Sequence, residues 1–260
     1  MRDSNLEGMR TFLSIGLVVW AALSPAQTEQ LTLMSYNLMY YKASNPPCTH
    51  TRNPADRDND LRTIIQRVGP DLLVVNELGD NPINPPIMLS DILNVGGINY
   101  YDRASSTNNS FSSLVNMLFY NSDKLTLHSQ QTLERDRNGF PLVRVIDFYR
   151  LYLNDPGLGQ AGVDTVFFTV ISAHLKAGSA SGDENQRANA TAAIMRFIET
   201  NVPDDNVLLA GDLNLKSSSE AAYQELINYS NSSVALADPL NRPGNWNNNS
   251  TFSSIHTQST

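Results

Sequence analysis

The chain has 260 residues, 41% hydrophobic and 17% charged, with 14 Gly, 13 Pro and a single cysteine, Cys48. That length buries a core without covalent staples, and the composition excludes collagen, coiled coil, bulk disorder, a disulfide framework and a Cys-rich zinc module. A net charge of -8, from 18 Lys and Arg against 26 Asp and Glu, excludes tight passive binding to nucleic acid or anionic membrane, but not an enzyme that meets phosphate through a bound cation.

The first predicted element is the twelve-residue apolar run Phe12–Leu23, too short for a membrane span of about 20 residues. With Ser24-Pro25-Ala26 behind it, the run reads as a leader over residues 1–26, cut after Ala26. Asp3 and Glu7 cancel Arg2 and Arg10, so Met9 offers a cleaner start. A buried N-terminal helix is the alternative, but no amphipathic stripe runs through the segment. Export places the protein outside the cell or in the periplasm, and residues 27–260 are expected to form one domain.

Strands are predicted over 31–38, 71–76, 114–120, 143–153, 165–173 and 206–213. Three of them (LLVVN, VFFTVIS, VLLAG) are nearly continuous apolar runs, as expected of strands covered on both faces. Helical spacing brings Leu61, Ile64, Ile65 and Val68 onto one face, and Ala190, Ala193, Ile194, Phe197 and Ile198 onto another. Ser181–Glu184 and Ser217–Glu220 read as capping boxes opening two helices. From Asn228 onward, Asn, Ser and Thr crowd the sequence in loop fashion. Strands and helices so mixed predict an α/β (α+β) layered domain.

Four apolar runs end in a sharply polar residue: Asn37, Glu77, His174, and Asp212 followed by Asn214. Functional groups of layered α/β proteins gather where buried strands emerge at one rim. The i, i+2 spacing of Asp212 and Asn214 predicts that both side chains leave the same strand face, and Gly211 marks a close approach. Glu77 and Asn37 offer the oxygens that a hard cation such as Mg²⁺ takes. Asp212 suits a group that holds or activates a water, and His174 and Asn214 suit donors to a phosphoryl oxygen. Each residue alone is an ordinary turn or surface group; their coincidence at four strand ends carries the reading.

The order SYN (35–37), VVNEL (74–78), SAHLKAG (172–178) and LAGDLNL (209–215) resembles the endonuclease/exonuclease/phosphatase superfamily, the DNase I-like fold. Asn76-Glu77 stands where Gln-Glu is commoner. The resemblance implies a four-layer sandwich of two packed mixed β-sheets flanked by helices, with the site at one edge. It implies Glu77 as the principal Mg²⁺ ligand (Mn²⁺ or Ca²⁺ being alternatives), assisted by Asn37. His174 would contact the scissile phosphate, Asp212 would orient the attacking water, and Asn214 would bind phosphate and metal. Asn116, in LVNMLFYN, would lie on the substrate side. The implied partner is a phosphate ester: nucleic acid, phospholipid head group or small phosphate.

The resemblance stops short of the Asp and Ser-Asp-His segment that ends the family pattern. His256, in Ile-His-Thr-Gln, lacks the preceding Asp and is read as a loop histidine. The domain is therefore expected to be C-terminally incomplete, with two strands missing and an apolar sheet edge unpaired. The expected activity is water attack on a phosphate ester by a monomer without stable membrane insertion. The alternative is a catalytically silent phosphate- or protein-binding domain; a serine hydrolase is disfavoured because no Gly-x-Ser-x-Gly elbow occurs. Arg144, Arg150, Lys176 and Arg187 are candidates for a local positive rim.

Overall fold

A computed structural model describes residues 29–44, 54–110, 112–160 and 163–255. The segment expected as a leader (1–26) with its alternative start at Met9, Cys48 and His256 lie outside the described residues.

Two four-stranded mixed sheets form the centre. The first has the order β1 (Leu33–Tyr41), β2 (Leu72–Gly79), β4 (Leu114–Asn121) and β3 (Tyr101–Arg103). The second runs β5 (Leu125–Arg135), β6 (Pro141–Leu153), β7 (Phe167–His174) and β8 (Asn206–Asp212). The parallel pairs are β1–β2 and β7–β8. A parallel pair needs a crossover, supplied by α1 (Pro54–Val68) in one case and α3 (Ser181–Asn201) in the other. Both crossovers put the carboxyl ends of the paired strands at one rim, where the polar strand ends gather.

Every residue of β2 and β4 is buried, which explains their unbroken apolar runs. One core cluster draws on both sheets, with Met117 and Phe119 alongside Tyr149, Leu151 and Val170. A second joins Leu142, Ile146 and Ile171 of the second sheet to Ala190, Ile194 and Ile198 of α3. There the Phe148 and Phe197 rings stack with centroids 3.8 Å apart. Helices therefore flank the paired sheets. Among the described residues no helix is long and apolar enough to cross a membrane.

The observed elements differ from the predicted ones where tertiary context decides. β5 was not predicted: it is an edge strand whose residues are largely half-buried or exposed, so its sequence alternates only weakly. β3 has three residues and no periodicity to detect. Asn84–Met88 forms a short helix, α2, despite two prolines, because the first helical turn has no use for their missing N–H groups; a π turn, Leu89–Leu93, follows it.

Both capping boxes are displaced. Ala180 precedes α3, and the Asp183 carboxylate accepts its backbone N–H at 3.2 Å, so Ser181 is helical and caps nothing. The helix α4 (Ala221–Ile227) begins after Glu220, whose carboxylate is taken by Arg187 and by the Lys216 N–H. β8 stands at the edge of its sheet among the described residues, with Leu208 44% exposed.

Candidate active site

The site is built from irregularities at the ends of regular strands. β1 pairs with β2 up to Asn37–Asn76, and pairing resumes at Tyr41–Leu78, so β1 spends four residues where β2 spends two. Met39 and Tyr40 absorb the surplus at φ 50° and 57°. The bulge turns the backbone inward: the Tyr40 N–H donates to Glu77 Oε2 at 3.1 Å, and the Met39 N–H to Asn37 Oδ1 at 2.8 Å. Glu77 itself has φ 60° in a strand with no exposed residue. A left-handed non-glycine residue there costs on the order of 1–3 kcal/mol, and such strain clusters at functional sites.

On the other sheet, His174 and Asp212 stand opposite each other in parallel register. Gly211, at φ 131°, lets β8 press against β7; a Cβ there would overlap the Ala173 carbonyl oxygen. The close approach expected at Gly211 is thus to its own neighbouring strand.

Glu77 Oε1 and Asp212 Oδ2 converge from the two sheets. Asn37 Nδ2 bridges them, donating to each at 3.0 Å. His174 Nε2 lies 3.7 Å from the first and 3.8 Å from the second. One ligand atom each from Glu77, His174 and Asp212 fit within 4.8 Å of one another, a grouping able to hold a metal ion. His174 is 3% exposed, and its Nδ1 is buried without a partner among the described residues. Burial pushes its pKa down to about 4, the nearby Arg144 charge pushes the same way, and Asp212 opposes both. The imidazole is therefore neutral at pH 7.

Arg144 reaches this cluster through another irregularity. β5–β6 pairing jumps from Leu133–Ile146 to Arg135–Pro141, which leaves three surplus residues in β6 around Arg144. Its guanidinium is lowered in pKa by burial, an effect countered by Glu77, Tyr40 and Asp212. It closes no hydrogen bond or contact ion pair with the described residues, so a cation faces two carboxylates with its donors uncommitted.

Several expectations need correction. Asn37 does not turn an oxygen toward the acids: the Met39 N–H holds Oδ1, which leaves the amide nitrogen to face them. Asp212 and Asn214 do not share a strand face, because β8 ends at Asp212 and Asn214 is left-handed at φ 52°. Instead the Asn214 N–H donates to Asp212 Oδ1 at 3.1 Å, and its side chain donates to the Leu175 carbonyl at 3.2 Å. Asn116 is 2% exposed and both its amide atoms are engaged inside, so the geometry offers no substrate contact from it.

Of the four candidate rim cations, only Arg144 faces the acids. Arg150 pairs with Asp205 at 2.8 Å and lies over the Phe167 ring. Lys176 pairs with Asp183 at 2.8 Å. Arg187 is fully buried, bound to Glu220 and to the Lys176 and Gly178 carbonyls. Sequence reasoning missed Asn76, whose signal was a polar residue inside an otherwise apolar buried run.

A profile of the Endonuclease/Exonuclease/phosphatase family matches residues 34–259. Among curated proteins none matches the sequence. Solved structures share the fold at low identity. The human Nocturnin catalytic domain with bound sulfate superposes at TM-score 0.58 and 15% identity, covering 78% of this chain and 71% of that one. The Bacteroides thetaiotaomicron mannosyl-6-phosphatase gives 0.55 and 14%, covering 76% and 70%. ANGEL2, a 2',3'-cyclic phosphatase in complex with adenosine-2',3'-vanadate, gives 0.53 and 15%, covering 83% of this chain and 64% of its own.

Proposed function

Because the chain belongs to the endonuclease/exonuclease/phosphatase family, we propose that it is a divalent-metal-dependent phosphoester hydrolase acting at the rim where β1, β2, β7 and β8 end. The observation that carries this reading is the convergence of Glu77 Oε1 and Asp212 Oδ2 from two different sheets, with His174 Nε2 within 3.8 Å of both and the uncommitted Arg144 beside them. Glu77 would be the principal ligand, and Nε2, as a donor, would not ligate. Two carboxylates so close and so little hydrated repel each other. Their hard oxygens fit Mg²⁺ first, with Mn²⁺ and Ca²⁺ as substitutes. When bound, such an ion polarises a phosphoryl oxygen and acidifies a water.

The chain's own groups do the remainder. Glu77 holds the ion, and the Tyr40 N–H and Asn37 amide hold Glu77. Asp212, anchored through Oδ1 by the Asn214 N–H, keeps Oδ2 to orient and deprotonate the attacking water. Neutral His174 donates from Nε2 to a phosphoryl oxygen, and Arg144 balances the charge that builds there. With Arg150, Lys176 and Arg187 committed elsewhere and a net charge of -8, a polyanion track is disfavoured. A small mono- or cyclic phosphate ester is the preferred substrate. The names of the neighbouring mannosyl-6-phosphatase and 2',3'-cyclic phosphatase support that class. The Phe12–Leu23 run supports export, which N-terminal sequencing of the mature protein checks: a chain beginning at Gln27 is expected.

Hydrolysis of p-nitrophenyl phosphate and bis-p-nitrophenyl phosphate, with Mg²⁺ or with chelator, tests the proposal. Chelation should abolish turnover, and Glu77→Gln and Asp212→Asn should each lower it by at least about 10²-fold. Chelator-insensitive turnover refutes the metal; phosphate binding without any turnover identifies a silent domain.

A further inference from the structure

Two sheets packed face to face are held by apolar contact, which has no direction and tolerates small slides. The candidate site cannot tolerate them, because Glu77 belongs to one sheet and Asp212 to the other. Four hydrogen-bonding groups run between them without interruption. The Val145 carbonyl of β6 accepts from Asn116 Nδ2 of β4 at 2.9 Å. Asn116 Oδ1 accepts from Asn76 Nδ2 of β2 at 2.8 Å. Asn76 Oδ1 accepts from the Asp212 N–H of β8 at 3.0 Å. The path leaves the second sheet, crosses two strands of the first, and returns beside the carboxylate. Asn76 Nδ2 also lies 3.5 Å from Ser172 Oγ of β7.

The direction of this relay is forced at both ends. A carbonyl only accepts, so Asn116 must turn its nitrogen toward Val145; an amide N–H only donates, so Asn76 must turn its oxygen toward Asp212. Asn76 is 0% exposed and Asn116 2%, so water does not replace a broken link, and a severed amide is left unsatisfied. The relay also begins next to Arg144 and ends at Asp212, with Glu77 adjoining its middle. All three charged groups of the site are thus set by one chain of bonds.

We infer that Asn76 and Asn116 are positioning residues that lock the register between the sheets, and so fix the spacing of Glu77, Asp212 and Arg144. The metal arm of the test rests on the proposed metal site; the mechanical arm does not. Asn116→Leu keeps the shape and removes the bonds. Leu118→Ala, on the same strand and 0% exposed, removes packing and no bond, and serves as the destabilised control.

In the full chain, amide hydrogen exchange by NMR reads the Asp212 N–H directly. Asn116→Leu should speed its exchange about 10–100-fold beyond the other β7–β8 ladder amides and weaken Mn²⁺ binding, by calorimetry, about 10–100-fold. Leu118→Ala should speed exchange evenly and leave Mn²⁺ affinity within about twofold. Should Asn116→Leu not fold, Asn116→Ser, which keeps a hydroxyl able to accept from Asn76, should give an intermediate change of the same kind. The inference is overturned if Asp212 exchanges in step with its neighbours, or if either Asn116 variant binds Mn²⁺ as the control does. A wild-type chain that binds no Mn²⁺ sinks the metal site instead, and the exchange arm then decides the relay alone.

Discussion

Arg144 and His174 are coupled, and the coupling is measurable before any substrate is known. The guanidinium holds the imidazole below its ordinary pKa of 6.5, second to burial among the causes. In Arg144→Met the His174 pKa should therefore rise from about 4, yet stay short of 6.5 because burial persists, as an NMR titration of the ring would report. Turnover should fall about 10²–10³-fold, the usual cost of one charge-stabilising donor. Two other arginines mark the contrast between a fully buried ion pair and a partly buried one. Arg187→Met strands Glu220 in the interior and should cost about 3–5 kcal/mol in urea unfolding. Arg150→Met breaks a two-bond pair whose arginine is 34% exposed but whose Asp205 side chain is only 6% exposed. Asp205 keeps its Thr169 bond, and the loss should be about 1–3 kcal/mol, below that of Arg187→Met. Glu77, His174 and Asp212 were legible in the sequence because each terminates an apolar run, a purely local signal. Asn116 was legible only as a candidate on the substrate side; its buried bonds, Asn76 and the special place of Arg144 were not, since their partners lie 29 to 136 residues away and depend on strand register.

At the scale of elements, the strands that carry the site are regular up to its edge and irregular at it. β1, β2 and β6 each bulge, and β8 carries Gly211 one residue before its end, where a Cβ would overlap the Ala173 carbonyl oxygen. Gly211→Ala should push β8 off β7, destabilise the fold by at least about 1–3 kcal/mol, and weaken Mn²⁺ binding through Asp212. Equilibrium unfolding and calorimetry check the two effects separately. Buried strands and the two long helices followed from hydrophobic periodicity. Bulges, the edge strand β5 and the displaced caps did not, because each is decided by a neighbour: Glu220 leaves its cap to meet Arg187, and β6 gains residues only relative to β5.

For the whole molecule, a carboxylate outside the cation-binding grouping adds its own pH dependence to stability. Asp147 is 0% exposed; one oxygen accepts from Thr107 and Thr132, and the other has no partner among the described residues. Burial raises its pKa from 3.8 to about 6. The folded protein therefore holds this proton more tightly than the unfolded chain does. The stability it contributes is full below about pH 4 and is lost as pH rises through about 6, a difference of about 3 kcal/mol. His174, whose pKa burial pushes down to about 4, works in the opposite sense, adding stability as pH rises towards 6.5. Asp147→Asn should therefore raise the denaturant midpoint at pH 8 relative to that at pH 5, compared with the wild type.

The tight turn between β4 and β5, where the Lys124 N–H meets the Asn121 carbonyl at 3.2 Å, divides the chain by sheet: everything before it builds the first, everything after it the second. During synthesis the first half emerges with Glu77 in place and one face of its sheet uncovered. Asp212 arrives near the end of the described sequence. A nascent chain paused at the turn can hold secondary structure, yet it carries one acid of the pair and has nothing to lock against. The pair of acids is therefore assembled late in translation, and a single cut at that turn leaves Glu77 on one half and Asp212 on the other.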